Sequence, residues 1–370
     1  MARRRRQSTP SGCGGRSVVP IACGIEDAVL CVLRSGVLQV EDVPLTAVAA
    51  AVGTPVHVVS AAKVRAAAPP AVPGVHRIVR VRSIPGTAVL RLLASQGVDA
   101  DVSSGAEMRR ALAAGIAPSA IGFSGVARNG VALAAALDVG IGRFTLELEE
   151  EGRLLSALAL ARGTRASALL RVALPDSHSG IGLAAICAVY GRLSGLAGLE
   201  LQGLAIHVDA FLDFDALRRL IARLRAGGHR VDRVDLKGPP GIFNEAALRA
   251  RAHSWRLAFG VEAADILAGT GILLARVLQV ERTPLHARVL VDAAVVLPGR
   301  VRAVQPRGQH VIARVVGLGS PDRSIEAGSE AVQRGDLVVL HPGQSGVPQL
   351  LVDGSRCEFD GDRLLGSARA

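Results

Sequence analysis

The chain is poor in lysine, aromatic residues and cysteine, and these shortages narrow what it can do. Lysine occurs twice, as Lys63 and Lys237, so arginine carries nearly all the positive charge behind the formal net charge of +11. Aromatic residues make up 2% of the chain, too few for the stacking surfaces that hold single-stranded nucleic acids. Four arginines form the run Arg3–Arg6, and the others are scattered along predicted helices as solvated faces. We therefore do not expect a nucleic-acid partner.

The cysteines show no CxxC pair and no metal-ligand spacing. They are Cys13, Cys23, Cys31, Cys187 and Cys357. An odd number scattered through a long chain predicts reduced thiols in the cytoplasm and no metal site. The longest uncharged run includes Thr46–Ala62, and a glycine and a proline interrupt that segment, so it is not the continuous apolar helix of ~20 residues that crosses a membrane. No apolar core follows the arginine run, so we expect neither a signal peptide nor a membrane partner.

The segment Val79–Ile116 indicates the fold class, because short strands and amphipathic helices alternate along it. Val79 and Val81 alternate with arginines, which is the period of a strand, and a Pro-Gly pair then separates this strand from an apolar helical face. Two βα units this short predict a parallel sheet with helices outside it. The alternation continues from about Val56 to Gly271, and β runs follow. The sequence therefore predicts a (β/α)8 TIM-like barrel with a C-terminal β domain.

Three stretches carry a resemblance to a known family: Ala88–Ala94, Asp101–Glu107 and Ile121–Val126. Their sequences, AVLRLLA, DVSSGAE and IGFSGV, resemble the barrel core of the diaminopimelate decarboxylases. These belong to the fold-type III pyridoxal-phosphate (PLP) amino-acid decarboxylases, together with the ornithine and arginine decarboxylases. The resemblance begins near Gly36 and covers most of the remaining chain. It implies PLP as cofactor and a dimer in which each subunit's β domain completes the other's active site.

We expect four regions along the chain. Residues 1–35 form a basic, disordered tail, and residues 36–55 form a strand and a helix that contribute to the β domain. Residues 56–285 form the decarboxylase-like barrel, and residues 286–370 form the C-terminal β domain.

The resemblance places an arginine where the family has its catalytic lysine. In the family, the strand before the first of these helices ends in the lysine that forms the Schiff base with PLP, and that position is Arg82 here. A guanidinium stays protonated at physiological pH and does not condense with an aldehyde. Asp101 and Glu107 match family residues that lie near the cofactor or its lysine. The alternative for this pair is an acidic helix entry and a helix cap.

Two further segments match the family's cofactor site in part. His207 matches the histidine that stacks on the pyridine ring, but the Gly and Ser that follow it in the family are Asp209 and Ala210 here. Packing alone is the alternative explanation for this histidine.

The segment Lys237–Gly241 takes the place of the family's glycine-rich phosphate loop, which leaves Gly238 and Gly241 as candidate cofactor-binding residues. Two prolines between these glycines remove two N–H donors that a phosphate would need. Lys237 could supply a charge or an amine, although we expect a lysine at a strand end to face solvent.

Other family residues have no counterpart in the sequence. The family's Glu-Pro-Gly-Arg segment supplies a carboxylate to the ring nitrogen and an arginine to the phosphate. Aligned on Gly271, it falls at Val261–Ala264, so Glu262 is displaced by one residue and the arginine is gone. The family's substrate-facing cysteine and cofactor-facing tyrosine are also missing, since Tyr190 is the sole tyrosine.

The residues that build the family's barrel are retained in this sequence. The family's lysine, phosphate loop, phosphate-binding arginine, cysteine and tyrosine are all replaced or missing. We therefore predict a decarboxylase-like protein of amino-acid metabolism that has lost PLP chemistry. It would act as a noncatalytic partner, as a homodimer or as a heterodimer with an active paralogue, and PLP is not expected to bind covalently.

Three alternatives remain open. One is an active divergent PLP-dependent decarboxylase or racemase that uses Lys237. Another is a PLP-independent barrel lyase or isomerase, in which Asp101, Glu107, His207 and Asp209 supply acid–base groups. The third is binding of nucleic acid or an acidic surface by the arginine tail.

Overall fold

The computed structural model describes residues 30–365 apart from 69–72, 85, 126–129, 175–178, 209–211, 239–241, 263–268, 283–286, 294–300, 306–309, 318–324, 331, 341–348, 354–355 and 360–362. The α-helices in the described ranges are α1 (Leu45–Val52), α2 (Ala61–Ala67), α3 (Thr87–Ser95), α4 (Gly105–Ala113), α5 (Gly130–Val139), α6 (Glu149–Leu160), α7 (Ile186–Ser194), α8 (Phe214–Ala226) and α9 (Glu245–Trp255). Short 3-10 turns cover Val81–Ser83 and Pro118–Ala120.

The strands up to the end of the barrel are β1 (Cys31–Arg34), β2 (Val37–Val40), β3 (Val43–Pro44), β4 (Val56–Ser60), β5 (Val75–Arg80), β6 (Asp99–Val102), β7 (Ile121–Phe123), β8 (Arg143–Leu146), β9 (Ala166–Ala173), β10 (Ile181–Gly182), β11 (Leu199–His207), β12 (Arg233–Lys237) and β13 (Ala258–Glu262). Those that follow are β14 (Gly271–Arg282), β15 (Ala287–Val291), β16 (Val301–Ala303), β17 (His310–Gly317), β18 (Ile325–Glu330), β19 (Leu337–Leu340), β20 (Gln349–Asp353), β21 (Arg356–Phe359) and β22 (Arg363–Leu365).

Eight parallel strands close into a barrel in the order β5-β6-β7-β8-β9-β11-β12-β13, and β13 pairs back onto β5. The two-residue β10 pairs with the end of β9. Parallel strands are covered on both faces, so their sequences are almost continuously apolar rather than alternating; in β11, for example, Leu204–Ile206 are all buried. The predicted TIM-like barrel is confirmed.

Several helices around the barrel begin at a residue whose side chain accepts backbone N–H groups. Ser104 Oγ accepts the N–H of Glu107 at the start of α4, and Asn244 accepts the N–H of Ala247 at the start of α9. Such caps satisfy donors that have no partner inside the helix. The caps fix where these helices begin. They therefore also limit where the preceding strand ends and which of its residues lies at the mouth of the barrel.

The strands after β13 build a second sheet, which β4 joins. β4 pairs antiparallel with β14 and parallel with β20, and β14 also pairs with β15 and β19. We had placed β4 and β14 within the barrel range of residues 56–285, but both belong to this second sheet. The described barrel strands start at β5 and end at β13.

The N-terminal strands pack against the second sheet. β1 lies within residues 1–35, which we had expected to be a disordered tail, so that expectation is wrong for residues 31–34; residues 1–29 lie outside the described ranges. β1, β2 and β3 form a small antiparallel sheet of their own. The N–H of Leu38 on β2 donates to the carbonyl of Val304, 2.8 Å away. Leu38 and Val40 share one apolar core with Val58 of β4 and Ile272 of β14. None of the helices in the described ranges is both long and apolar enough to span a bilayer.

Candidate functional site

A ring of polar side chains surrounds the mouth of the barrel, where the eight strands end. Each barrel strand contributes one residue, which lies either among the last three residues of the strand or directly after it. We call this set the mouth ring; its members, in order around the wall, are Arg80, Asp101, Ser124, Glu147, Arg171, His207, Lys237 and Glu262. Enzymes with this fold place their chemistry at this end of the barrel.

Lys237 forms hydrogen bonds with two other members of the mouth ring. It is the last residue of β12 and is only 9% exposed. Its Nζ lies 2.7 Å from Asp101 Oδ2 and 3.2 Å from Ser124 Oγ, and the Ser124 hydroxyl donates to the same Asp101 oxygen at 2.7 Å. The lysine side chain therefore crosses the mouth and holds β12 against β6 and β7.

Glu262 lies beside this cluster and is buried. Its Oε1 accepts hydrogen bonds from the guanidinium of Arg80. Its Oε2 lies 3.9 Å from Lys237 Nζ and accepts no hydrogen bond within the part of the chain that the structure describes. A buried carboxylate oxygen without a donor is costly, so this oxygen is a place where a ligand with an N–H group would be favoured.

The opposite side of the mouth carries a second glutamate–arginine pair. Arg171 Nη1 donates to Glu147 Oε1 at 2.7 Å, and Arg171 Nη2 lies 3.5 Å from His207 Nδ1. Glu147 Oε2, like Glu262 Oε2, is buried and has no hydrogen-bond donor among the described residues. Since β8 and β13 are four strands apart in a barrel of eight, the two glutamates face one another across the mouth.

Below the mouth ring, two arginines and two aspartates form a buried ion cluster. Arg143 donates to Asp235 at 3.0 Å and lies 3.2 Å from Asp99. Arg233 lies 2.7 Å from Asp99 and 2.6 Å from Asp235. The four charges cancel, so each buried charge has partners of the opposite sign.

This cluster lowers the pKa of both aspartates. For Asp99, burial favours the neutral acid, but contact with His76 and the charges of Arg143 and Arg233 outweigh burial and lower the pKa to about 2. For Asp235, burial is again opposed by the two arginines, and the pKa falls below its ordinary value. Both carboxylates are therefore charged throughout the physiological range.

Two inward-facing glycines make room for the cluster. A Cβ on Gly260 of β13 would lie 2.0 Å from Asp235 Oδ1, and one on Gly122 of β7 would lie 3.2 Å from Arg143 Nε. Glycine is needed at Gly260 because of this close approach and not because of its backbone conformation.

The structure separates Asp101 from Glu107, which the sequence had paired. Asp101 belongs to the mouth ring through Lys237 and Ser124. Glu107 instead accepts the N–H and the hydroxyl of Ser103 at 2.8 and 3.0 Å, while Ser104 caps its N–H. Glu107 thus belongs to the N-terminal cap of α4, with its N–H bound by the N-cap residue Ser104 and its carboxylate bound to Ser103; this is the capping alternative we had considered. His207 is in the mouth ring beside Arg171.

The structure places three other residues that the sequence singled out, and it corrects the expectation for Lys237. Arg82, aligned with the family's lysine, is exposed on the 3-10 turn after β5, and the arginine that β5 brings to the mouth is Arg80. Lys237, expected to face solvent, is buried in the mouth because Asp101 and Ser124 offer it partners there. Glu262, displaced by one residue in the alignment, occupies the end of β13 in the mouth.

Other expectations fall partly or wholly outside the described residues. Gly238 follows β12, and a Cβ on it would lie 2.7 Å from the carbonyl oxygen of Val208. Gly241, the two prolines of the loop and Asp209 lie outside the described ranges. Among the described residues, no group of three His, Cys, Asp or Glu side chains is arranged to hold a metal ion.

Comparison with known proteins identifies the family. The profile described as "Pyridoxal-dependent decarboxylase, pyridoxal binding domain" matches residues 62–223. The diaminopimelate decarboxylase of Zymomonas mobilis is 31% identical over 339 residues, covering 77% of this chain and 80% of that protein. The chain belongs to the PLP-dependent decarboxylase family that contains these enzymes.

Solved structures agree with this family's fold. A crystal structure of an Aquifex aeolicus protein superposes with a TM-score of 0.78 at 22% identity, covering 91% of this chain and 96% of that one. The M. jannaschii diaminopimelate decarboxylase in complex with L-lysine gives a TM-score of 0.75 at 16% identity, with the same coverage. The family's cofactor is PLP.

The residues present do not fit PLP in the family's manner. The aligned lysine position is an exposed arginine, and neither lysine of the chain lies on β5. The sole amine of the mouth ring is on β12, on the opposite side of β13 from β5. The carboxylate at the end of β13 already binds Arg80 through one oxygen, although its other oxygen would suit a ring N–H. The prolines of the loop remove phosphate donors whatever their placement.

Sequence reasoning missed four members of the mouth ring: Arg80, Ser124, Glu147 and Arg171. Ser124 and Glu147 directly follow β7 and β8, so the rule that barrel chemistry lies at strand ends would have found them. Arg80 and Arg171 lie within strand patterns that do not show which arginines face inward.

Proposed function

We propose that this chain is a diaminopimelate decarboxylase-like protein of amino-acid metabolism that does not catalyse PLP-dependent decarboxylation. It acts in the cytoplasm as a noncatalytic partner, in a dimer with itself or with an active paralogue. The observation that carries the proposal is at β5: the position aligned with the Schiff-base lysine is the exposed Arg82, and the side chain β5 places in the mouth is Arg80, bound to Glu262.

The charge arrangement supports this proposal. PLP chemistry needs an amine to bind the cofactor and a protonated ring to withdraw electrons. Arg80 supplies no amine, and its guanidinium occupies one oxygen of the carboxylate that would keep the ring protonated. An arginine cannot be deprotonated in proteins, so Arg80 cannot take over the role of the Schiff-base amine.

The experiment is an activity and absorbance test on the full chain. Purified protein is incubated with PLP, treated with borohydride and followed in the visible range, and CO2 release is measured with diaminopimelate, lysine, ornithine and arginine. We expect no reducible aldimine band and no CO2. Release of CO2 from any of these amino acids would contradict the proposal.

A second candidate is an active divergent PLP-dependent decarboxylase or racemase that uses Lys237. The burial of this lysine in the mouth ring favours it. An aldimine band that persists in Lys63→Arg and disappears in Lys237→Arg would support this candidate, and the comparison is clean because the chain has no third lysine.

The partner role is tested separately. Light scattering should give a mass of two chains, or the protein should change the activity of an intact diaminopimelate decarboxylase from the same genome at equal concentration. A monomer that leaves that activity unchanged would contradict the partner role while leaving the loss of catalysis in place.

A further inference from the structure

The surroundings of Lys237 match those of a lysine that attacks carbonyl groups. An activated nucleophile needs a base within hydrogen-bond reach and a third group that orients the base. Here the nucleophile is Lys237 Nζ, the base is Asp101 Oδ2 at 2.7 Å, and the orienting group is Ser124, whose hydroxyl donates to the same oxygen at 2.7 Å. The three residues come from three different strands of a rigid barrel.

We propose that Lys237 captures a small carbonyl compound, an aldehyde or a 2-oxo acid, as an imine without PLP. This function is covalent binding and does not depend on whether the chain decarboxylates amino acids. It goes beyond the noncatalytic role proposed above, because a barrel without cofactor chemistry still presents a reactive amine at its mouth.

The reaction requires no co-reactant beyond the carbonyl compound. Asp101 accepts a proton from the ammonium of Lys237, and the neutral amine attacks the carbonyl carbon. A C–N bond forms, the C=O π bond breaks, and the oxygen takes the proton held by Asp101. The carbinolamine then loses its hydroxyl group as water, after transfer of a second proton from nitrogen, and a protonated imine remains. The sum is an ammonium plus a carbonyl giving an iminium plus water.

The carboxylates of the mouth ring can accompany both the ammonium of Lys237 and the iminium that forms from it. The ammonium and the iminium each carry one positive charge, so Asp101 and Glu262 keep their counter-ion. The iminium N–H can donate to Asp101. Glu262 Oε2, buried and 3.9 Å from Nζ, adds a second negative charge beside the iminium.

Burial restricts which compounds can reach the amine. The Lys237 side chain is 11% exposed, so a compound of two or three carbon atoms fits the proposal better than a bulky one. Arg80 and Arg171 flank the two sides of the mouth, and a 2-oxo acid would bring a carboxylate towards these cations.

The test uses the full chain and two probes that differ in one carboxylate. Protein is incubated with glyoxylate or with glycolaldehyde in the presence of cyanoborohydride, and peptide mapping by mass spectrometry locates the reduced adduct. We expect an adduct at Lys237 in the unaltered chain and in Lys63→Arg. Lys237→Arg, which keeps the positive charge, should carry none at that position. Preference for glyoxylate identifies 2-oxo acids, and equal reaction identifies simple aldehydes.

The role of Asp101 as the base is tested by measuring the rate at which the adduct forms at Lys237. Asp101→Asn should slow adduct formation at Lys237 at least tenfold while the slow labelling of Lys63 is unchanged, since Lys63 lies on α2 outside the mouth. Melting curves of each variant verify folding. An unchanged rate in Asp101→Asn overturns the assignment of Asp101 as the base.

Two results would overturn the capture itself. One is labelling confined to Lys63 and the N-terminal amine in the folded chain. The other is labelling of Lys237 by PLP alone, with neither small probe reacting, which would support the PLP-dependent candidate instead. The first result leaves both the PLP absorbance test and the CO2 assay untouched. The second would also give a PLP aldimine band, and the CO2 assay then decides separately whether the chain decarboxylates amino acids.

Discussion

Lys237 Nζ lies 2.7 Å from Asp101 Oδ2, although β12 and β6 are separated around the barrel wall by β13 and β5. The pair therefore spans the mouth instead of joining neighbouring strands. We call this ion pair the cross-brace, because it links two parts of the barrel wall that are not neighbours. Its contribution to stability depends on both charges being present in a site that is largely shielded from water.

Lys237→Met should destabilise the protein by about 3 kcal/mol, because it leaves Asp101, whose side chain is only 11% exposed, without its counter-ion. Asp101→Asn in the same chain should recover a large part of that loss, since the uncompensated charge is then removed. Urea unfolding of both single variants and the double variant measures the coupling. Lys63→Met, a change at a half-buried site on α2, should cost less than about 1 kcal/mol; strictly additive losses at the two mouth residues would refute the cross-brace.

Arg143→Met should cost about 3–5 kcal/mol, because Asp99 and Asp235 would then share the single remaining arginine of the buried cluster. Arg153→Met removes an exposed pair with Glu149 on α6 and should cost at most about 0.5 kcal/mol. Chemical denaturation at neutral pH compares the two. Equal losses would mean that the barrel interior does not depend on its ion cluster.

His57 should make stability depend on pH between about 6.5 and 4. Burial in β4 lowers its pKa from 6.5 to about 4, so below pH 6.5 the unfolded chain binds a proton that the folded chain does not. Stability is then lost as the pH falls towards 4, by up to about 3 kcal/mol from this group. Urea midpoints at pH 7 and pH 5 should differ less in His57→Gln than in the unaltered chain.

The control for this titration is His253→Gln, on the exposed face of α9. It should leave the difference between pH 7 and pH 5 unchanged. If His57→Gln shows the full pH dependence of the unaltered chain, another group is responsible.

Gly260→Ala should destabilise the barrel by about 2 kcal/mol or more, because the added methyl group overlaps Asp235 Oδ1 and the core must shift. A Cβ on Gly182 of β10 meets no atom within 4 Å, so Gly182→Ala should change stability by less than about 1 kcal/mol. Thermal melting of the two variants checks the contrast. Tolerance of alanine at residue 260 would show that the aspartate can move without loss of its partners.

The barrel could be predicted from sequence because its signals are local. The alternation of β and α segments and the caps, such as Ser104 with Glu107, are visible within a few residues of one another. Asp101 could be named as a site residue because it lies at the end of a recognisable strand. The partner of β4 could not be predicted, since a short apolar strand suits either sheet and only contacts far along the chain decide between them.

The direction of long side chains was beyond the sequence for a related reason. Lys237 turns into the mouth because of Asp101, whose position 136 residues away in the chain only the closed barrel reveals. The sequence pattern placed Arg82 at the end of β5. The 3-10 turn that starts at Val81 ends the strand two residues earlier, so Arg80 occupies that position. One turn of backbone therefore changed which arginine belongs to the site.

The pairing of β4 with β14 joins a strand that precedes the barrel in the chain to one that follows it. The chain leaves the second sheet at Ser60 and rejoins it at Gly271 on the adjacent strand, where the N–H of Ser60 meets the carbonyl of Thr270. During synthesis β4 emerges before the barrel and lacks partners on both edges until β14 and then β20 follow. Barrel strands pair mostly with their nearest neighbours in sequence and can form in that interval. A chain that stops before β20 would complete its barrel yet leave one edge of β4 exposed as a template for aggregation.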